Sequence, residues 1–192
     1  RADACFQREA LQHRLAEGVD GLDLHAAWGV EDTGEQPPCI HHLAVRRLAA
    51  EQGLDLAQFT LGVMYENGQG IPQDDAQAVE WYRLAAEQGH RLAQLNLGAM
   101  YADGEGIPQD YAEAVRWYRL AADQGNSTAQ SNLGLMYLSG RGVPQDDAEA
   151  VRWYRLAAEQ GYANAQFNLG NMFADGRGVP EDDAEAVRWY RL

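Results

Sequence analysis

The sequence lacks any apolar run close to the roughly 20 residues that a helix needs to cross a bilayer. It is also short of basic residues: 15 Lys and Arg stand against 29 Asp and Glu, which gives a formal net charge of −14. A surface of this charge repels phosphate backbones and anionic lipid headgroups. We therefore expect no nucleic acid partner and no insertion into a membrane.

Cysteine is almost absent, since Cys5 and Cys39 are the only two. A pair of this kind in a protein outside the cytoplasm can form a disulfide, and two free buried thiols are the alternative. The chain starts at Arg1 with neither a methionine nor a hydrophobic leader. That start fits either a removed signal peptide or a cut from a longer protein. A Cys5–Cys39 disulfide is therefore a hypothesis.

Proline is scarce at 6 residues, but glycine is common at 20, and 46% of the residues are hydrophobic. Frequent glycine in a chain whose composition is that of a folded protein indicates turns or helix ends at regular intervals. A search for internal repeats locates those places, because a near-copy of one 36-residue unit opens at Ala57, Ala93, Ala129 and Ala165. The copies begin AQFTLGVMYENGQGIPQDD, AQLNLGAMYADGEGIPQDY, AQSNLGLMYLSGRGVPQDD and AQFNLGNMFADGRGVPEDD.

Each unit has the pattern of a helical hairpin. In the first copy, helix A is predicted from about Ala57 to Asn67, with Gly68 as a left-handed C-terminal cap. A loop over residues 69–73 contains glycine and proline and cannot continue the helix. Asp74 then opens helix B, and the D-x-x-E/Q spacing to Gln77 predicts a reciprocal capping box. The later copies repeat this pair at Asp110/Glu113, Asp146/Glu149 and Asp182/Glu185, and helix B closes at Gly89, Gly125 and Gly161.

The motif L-G-x-M-Y-x-x-G-x-G-(I/V)-P-x-D, followed by A-V-x-W-Y-R-L-A-A-x-Q-G, resembles the Sel-one-like repeat, a relative of the tetratricopeptide repeat. The resemblance implies an all-α, right-handed α/α solenoid of 36-residue helix–turn–helix repeats. It also implies a protein-binding scaffold or adaptor whose A helices line the concave surface. Members of this family are common in the periplasm or among secreted proteins, so we expect that location.

The repeats divide the chain into five parts of one solenoid. Three complete repeats are expected at 57–92, 93–128 and 129–164, with an incomplete repeat at 165–192. Residues 1–56 are expected to form an N-terminal helix and a degenerate or capping repeat, because the exposed end of an apolar stack would be sticky. The stop at Leu192 falls inside helix B, so the full protein is expected to continue.

Comparison of the copies separates a packing face from a free face of helix A. Constant positions such as Leu61, Gly62 and Tyr65 share one sector, and a glycine in mid-helix there indicates the close approach of another helix. The third, seventh and tenth positions vary and lie opposite. We predict that this sector and the asparagines beside it bind a segment of another protein. The predicted residues are Phe59, Val63, Glu66, Leu95, Asn96, Ala99, Asn132, Leu135, Leu138, Phe167, Asn168 and Asn171.

The asparagine ladder has two interpretations. Thr60, Asn96, Asn132 and Asn168 recur at one position of helix A. Their polar groups could bond the backbone of an extended partner, or they could bond the neighbouring repeat. The sequence leaves both possibilities open.

Patterns of catalytic residues are missing. The G-x-G of each repeat precedes proline rather than the Lys-Ser/Thr of a phosphate-binding loop, and no G-x-S-x-G elbow occurs. Cys39, His41 and His42 could ligate a metal, but adjacent histidines on a helix point about 100° apart. We predict no enzyme, no cofactor and no metal. The alternatives are an enzyme or metal protein with its site in residues 1–56, or a repeat module of a longer effector or regulatory protein.

Overall fold

The structure is a computed structural model that describes residues 38–191, with side chains described from Leu43 onward. Cys5 and the helix expected in residues 1–20 lie outside the described residues. The side chains of Cys39, His41 and His42 do as well. The hypothesis of a Cys5–Cys39 disulfide and the possible metal cluster therefore concern side chains outside the described residues.

Between residues 38 and 191 all regular secondary structure is helical. The helices are α1 (Pro38–Glu51), α2 (Asp55–Asn67), α3 (Asp75–Glu87), α4 (Arg91–Asp103), α5 (Tyr111–Asp123), α6 (Ser127–Ser139), α7 (Asp147–Glu159), α8 (Ala163–Ala174) and α9 (Asp183–Tyr190). From α2 onward they form pairs in which α2, α4, α6 and α8 are the A helices and α3, α5, α7 and α9 are the B helices. Each helix packs against its neighbours in sequence. The predicted all-α solenoid of 36-residue helix–turn–helix repeats is confirmed.

The ends of helix A follow the predicted signals except at the start. Helix α2 ends at Asn67, and Gly68 has a left-handed conformation with φ of 65°. The start is two residues earlier than predicted, because Leu54 is the N-cap and its carbonyl accepts the first helical hydrogen bond, from the Gln58 N–H at 2.9 Å. The leucine side chain makes no capping bond, so the sequence carries no polar signal for this start.

The start of helix B is capped as predicted by its aspartate, but the reciprocal capping box is wrong. The Asp110 carboxylate accepts from the backbone N–H groups of Ala112 at 2.9 Å and Glu113 at 3.1 Å. The Glu113 side chain does not return to Asp110 and instead pairs with Arg116 at 3.2 Å. The Asp110 N–H already donates to the Tyr101 carbonyl of helix A at 2.9 Å. The loop thus satisfies the donor for which a capping box would use glutamate.

The mid-helix glycines allow a tyrosine ring of helix B to lie directly on helix A. A Cβ placed on Gly98 would be 2.7 Å from Cδ1 of Tyr118, far inside van der Waals contact. The same relation joins Gly62 to Tyr82 and Gly134 to Tyr154, and all three rings are buried. The prediction that these glycines mark a close helix approach is therefore confirmed. Trp117 joins the repeats, because it packs into the core formed by α3 and α4.

A buried glutamine in each A helix binds successive repeats together. The Nε2 of Gln94 donates to the Ala86 carbonyl near the end of α3 at 3.1 Å, and its Oε1 accepts from Nε2 of Gln124 at 2.8 Å. Gln58 makes the first of these bonds to Ala50 of α1, also at 3.1 Å. The C-terminal end of α1 therefore occupies the position that a B helix occupies elsewhere in the stack.

Candidate partner-binding face

The exposed side of the A helices differs in charge from the rest of the stack. Helices α6 and α8 contain no Asp, Glu, Lys or Arg, whereas α5 and α7 carry several of them. We call the exposed side formed by the twelve predicted residues the A-helix face. Among the twelve predicted residues only Glu66 of α2 carries a formal charge, and the part of the face formed by α6 and α8 carries none. Apolar contacts and neutral polar groups therefore decide what binds to that part.

The predicted residues all reach this face, but not equally. Leu135 and Phe167 are 47% and 59% exposed, which is unusual for large apolar side chains. The remaining predicted residues are half-buried, namely Phe59, Val63, Glu66, Leu95, Asn96, Ala99, Asn132, Leu138, Asn168 and Asn171. Several of these contribute to internal packing, because Phe59, Val63 and Leu95 lie against the hydrophobic core. Among the twelve predicted residues, only Leu135 of α6 and Phe167 of α8 are large and well-exposed apolar side chains. Leu56 of α2 and Leu92 of α4, which were not predicted, are 58% and 41% exposed.

Two predicted polar residues have partners inside their own repeat. The Tyr82 hydroxyl donates to the Glu66 carboxylate, and the Tyr190 hydroxyl donates to Oδ1 of Asn171 at 2.7 Å. Burial, together with the Glu66 hydrogen bond, raises the pKa of Tyr82 well above its usual value. Glu66 and Asn171 therefore help to position the tyrosines, which the sequence comparison alone did not indicate.

The asparagine ladder lies beside buried tyrosines of the preceding repeat. Burial raises the pKa of Tyr118 and of Tyr154 to about 12, and the neighbouring amides of Asn132 and Asn168 act in the opposite direction. The Tyr154 hydroxyl nevertheless forms no hydrogen bond of acceptable geometry with any described residue. Asn132 and Asn168 thus lie close enough to the tyrosines of the preceding repeat to affect their pKa, but no hydrogen bond joins Asn168 to the Tyr154 hydroxyl.

A groove between α6 and α8 brings four of the predicted residues together. Its volume is about 230 Å³, and it is lined by Ser131, Asn132, Leu135, Tyr162, Asn164, Phe167 and Asn168. Tyr162 and Asn164 were not predicted, because they belong to the start of α8 rather than to its variable sector. A sequence signal did exist: the position of Tyr162 holds Leu54, His90 and Asn126 in the other copies, and this variation matches that of the third, seventh and tenth positions.

The other side of the stack has its own apolar features. A groove of about 440 Å³ runs along α5 beside the loop between α6 and α7, and it is lined by Ala112, Val115, Arg116, Arg119, Leu120, Asp123 and Val143. Leucines of the B helices are exposed to 44%, 41% and 39% at Leu84, Leu120 and Leu156. Charged arginine and aspartate side chains border this second groove, unlike the groove between α6 and α8.

Among the side chains described, no three His, Cys, Asp or Glu residues are grouped closely enough to hold a metal ion. No helix in residues 38–191 combines the length and apolarity needed to cross a membrane.

Stacked helical hairpins with a 36-residue spacing define a helical-repeat protein of the solenoid class. The chain belongs to the Sel1 repeat family, whose model matches residues 55–90, 91–126, 127–162 and 163–192. Proteins of this family are generally scaffolds for protein interactions and are generally not enzymes.

Solved structures support the same family. The protective antigen c5321 of uropathogenic Escherichia coli is 47% identical over 78% of this chain and 32% of its own, with a TM-score of 0.76. A Sel1 repeat protein of Oxalobacter formigenes is 41% identical over 82% of this chain and 64% of its own, with a TM-score of 0.77. The chain thus spans about a third of the first and just under two thirds of the second. Comparison with curated proteins gives no significant match.

A more distant structure shares the fold alone. Cysteine rich protein B of Helicobacter pylori is 18% identical over 65% of this chain and 92% of its own, with a TM-score of 0.53. The repeats of the present chain contain no cysteine between residues 55 and 192.

Proposed function

We propose that this chain is a scaffold that binds a segment of another protein on the A-helix face, with the part formed by α6 and α8 as the centre of contact. The observation that carries the proposal is the pair of exposed apolar side chains, Leu135 and Phe167, on helices that bear no formal charge. Stacking of the repeats does not require them, because other copies of the repeat hold Val63 or Ala99 where Leu135 stands. Exposed apolar surface that packing does not need is typical of interaction sites.

An enzymatic function is not supported by this face. The groove between α6 and α8 contains amide, hydroxyl and apolar groups, and none of these side chains is an acid, base or activated nucleophile. A module of a longer effector or regulatory protein stays compatible with the scaffold function, because the family relatives of known structure are longer than this chain.

Comparative capture tests the proposal. The test bait carries Leu135→Ser and Phe167→Ser, and the matched control carries Leu120→Ser and Leu156→Ser, which remove leucines of comparable exposure from the B helices. We exclude substitutions of Phe59 and Leu95 because these residues pack against the core. Circular dichroism confirms that each bait is folded before it is exposed to a lysate of the source organism.

We expect the wild type and the B-helix control to retain the same protein, and the A-helix variant to lose at least about nine tenths of it, as removal of a central apolar contact does at interfaces. Quantitative mass spectrometry of the eluates gives the ratio. Equal retention by all three baits would contradict the proposal, as would a loss confined to the B-helix control. Retention of nothing by any bait would also count against it.

We also propose that the protein acts in the periplasm or outside the cell, where a Cys5–Cys39 disulfide would be stable. The support is the bacterial origin of its relatives together with the pair of cysteines. Thiol labelling of the denatured protein, purified without reductant, should then modify neither cysteine until a reductant is added. Two freely labelled thiols in folded protein would remove this argument for the location.

A further inference from the structure

The position of Ser131 is filled by an aromatic ring in the first repeat. Phe59 occupies this place in α2, and its ring stacks on His90 of the next repeat with centroids 4.6 Å apart and an angle of 23° between the planes. The same ring lies 5.8 Å from the ring of Tyr82. Phe59 thus closes the space between α2 and α4 with an internal aromatic stack.

In the third repeat the same space is open. Ser131 replaces the phenylalanine, and Tyr162 stands where His90 stands in the first pair. The residue that would receive the stacked ring is present, but the ring is missing. What is left is the groove of about 230 Å³ between α6 and α8. For comparison, an engineered apolar cavity of about 150 Å³ holds a benzene molecule.

We propose that this groove binds an aromatic side chain from a basic segment of a partner protein, with the aromatic ring placed on Tyr162 as the Phe59 ring is placed on His90. The inference rests on the proposed function and specifies the chemistry of the segment that the A-helix face recognises. Stacked or tilted aromatic pairs are favourable beyond the area they bury. A ring is also the group that the repeat itself uses to fill this space.

The side chains that line the groove can contact both an aromatic ring and the peptide backbone that carries it. Leu135 and Phe167 provide apolar sides, and the amides of Asn132, Asn164 and Asn168 provide donors and acceptors at the rim. These amides can bond the peptide groups on either side of the aromatic residue, which would fix the direction of the segment. No formal charge lies on either helix.

The third repeat, like the second, lacks an internal hydrogen bond that the first and fourth repeats have. Tyr82 and Tyr190 donate to Glu66 and Asn171 of their own A helices. The corresponding positions of α6 hold Leu138 and Leu135, and neither side chain can accept a hydrogen bond. The Tyr154 hydroxyl is buried without a partner as a result. A buried hydroxyl without a hydrogen bond lowers the stability of the fold. In the third repeat this cost accompanies two leucines in place of polar residues, which makes the groove more apolar.

The surrounding charge favours a basic segment. Asp123 and Glu159 are exposed at the ends of α5 and α7, shortly before α6 and α8 begin, and the whole chain has a net charge of −14. Attraction between exposed charges is largely screened beyond about 8 Å at physiological ionic strength, so the Lys or Arg of the segment is expected to lie next to these carboxylates. Charge complementarity of this kind raises the association rate and disfavours acidic partners.

The chain supplies its own substitution for the test. Ser131→Phe places in the third repeat the side chain that the first repeat already has, so the variant should fold and should close the groove. Peptides are selected from a phage-displayed random library against the wild type, synthesised with a fluorescent label, and titrated by anisotropy. The same peptides are titrated against Ser131→Phe, against Tyr162→Ala, and against the Leu135→Ser, Phe167→Ser and Leu120→Ser, Leu156→Ser pairs described above.

We expect the selected peptides to share an aromatic residue with neighbouring Lys or Arg. Replacement of the aromatic residue by alanine in the peptide, and Ser131→Phe in the protein, should each weaken binding at least about tenfold. Tyr162→Ala should do the same by removing the ring on which the ligand stacks. Because Tyr162 also packs against the core, circular dichroism and the unfolding midpoint must first show that this variant is folded. If neither Ser131→Phe nor Tyr162→Ala is folded, replacement of the aromatic residue in the peptide still tests the inference. The Leu120→Ser, Leu156→Ser control should bind like the wild type.

Other outcomes separate this inference from the proposed function. Peptides without aromatic residues, or peptides that bind Ser131→Phe normally but lose affinity for Leu135→Ser, Phe167→Ser, would overturn the inference and leave the A-helix face as a binding surface. Peptides insensitive to every substitution on that face would overturn both. Concentration-dependent self-association of the wild type that Ser131→Phe abolishes would assign the groove to a second copy of the chain, and the inference would be wrong.

Discussion

Replacement of Gly106 by alanine is expected to lower the free energy of unfolding by about 2 to 5 kcal/mol, one of the largest effects of any single methyl group added to this chain. Gly106 has φ of 68°, a conformation that costs an L-residue about 1 to 2 kcal/mol. A Cβ at this position would also lie 2.7 Å from the backbone nitrogen of Ala76 and would overlap the Asp75 carbonyl group. Both residues are in the first turn of α3, so the clash is with helix backbone and cannot be relieved by a rotamer change.

Gly70 is the matched control for this substitution. It occupies the same position in the loop of the first repeat and has φ of 77°, but no described atom lies within 4 Å of the Cβ that alanine would add. Gly70→Ala should therefore lower the free energy of unfolding only by the cost of the positive φ, about 1 to 2 kcal/mol. Urea unfolding followed by circular dichroism measures both losses. Equal losses for the two variants would show that the loop of one repeat does not rest on helix B of the repeat before it.

Gly70 and Gly106 show how far the sequence could predict this fold. Both glycines are part of the same G-x-G motif, and the motif predicts a turn that stops helix A. Identical letters do not reveal that one glycine contacts the preceding repeat and the other contacts no described atom. That difference arises from stacking, which brings together residues 30 positions apart, and a local pattern contains no information about it.

The helices and their caps were predictable for a related reason. Asp110 and Gly104 act within a few residues of themselves, so each aspartate and glycine specifies a helix end locally. The reciprocal part of the capping box failed because the Asp110 N–H has a partner in helix A, the Tyr101 carbonyl, which the loop brings back. Prediction from nearby residues is therefore correct for a helix end unless a residue of a neighbouring helix takes the same hydrogen bond.

The candidate site was predictable in its location but not in its shape. Variation between copies identified Leu135 and Phe167 as surface residues, and both are exposed on the A-helix face. The twelve predicted residues did not include Tyr162, although its position varies between copies, because the role proposed for Tyr162 depends on the absence of a ring at Ser131. A missing side chain can be recognised only when the stacked ring of Phe59 on His90 is seen in the equivalent place.

The buried glutamine network provides the second large prediction. Gln94 is 3% exposed, and it donates to the Ala86 carbonyl and accepts from Gln124. Gln94→Ala removes both hydrogen bonds and leaves a cavity between the first and second repeats. We expect a loss of about 2 to 4 kcal/mol in the free energy of unfolding. Gln77→Ala is the control, because Gln77 is exposed and its loss should change stability by no more than about 0.5 kcal/mol.

A double-mutant cycle shows whether Gln94 acts through Gln124. Gln124→Ala alone should cost less than Gln94→Ala, because Gln124 is exposed and water can replace its bonds to Gln94 and to the Gly89 carbonyl. Since the two side chains share one hydrogen bond, the double variant should be more stable than the sum of the single losses implies, by about 0.5 kcal/mol or more. Strict additivity would show that the two glutamines act independently. Since stability in a stack is the sum of repeat and interface terms, a weakened interface here should also broaden the urea transition, as the repeats on either side of Gln94 begin to unfold separately.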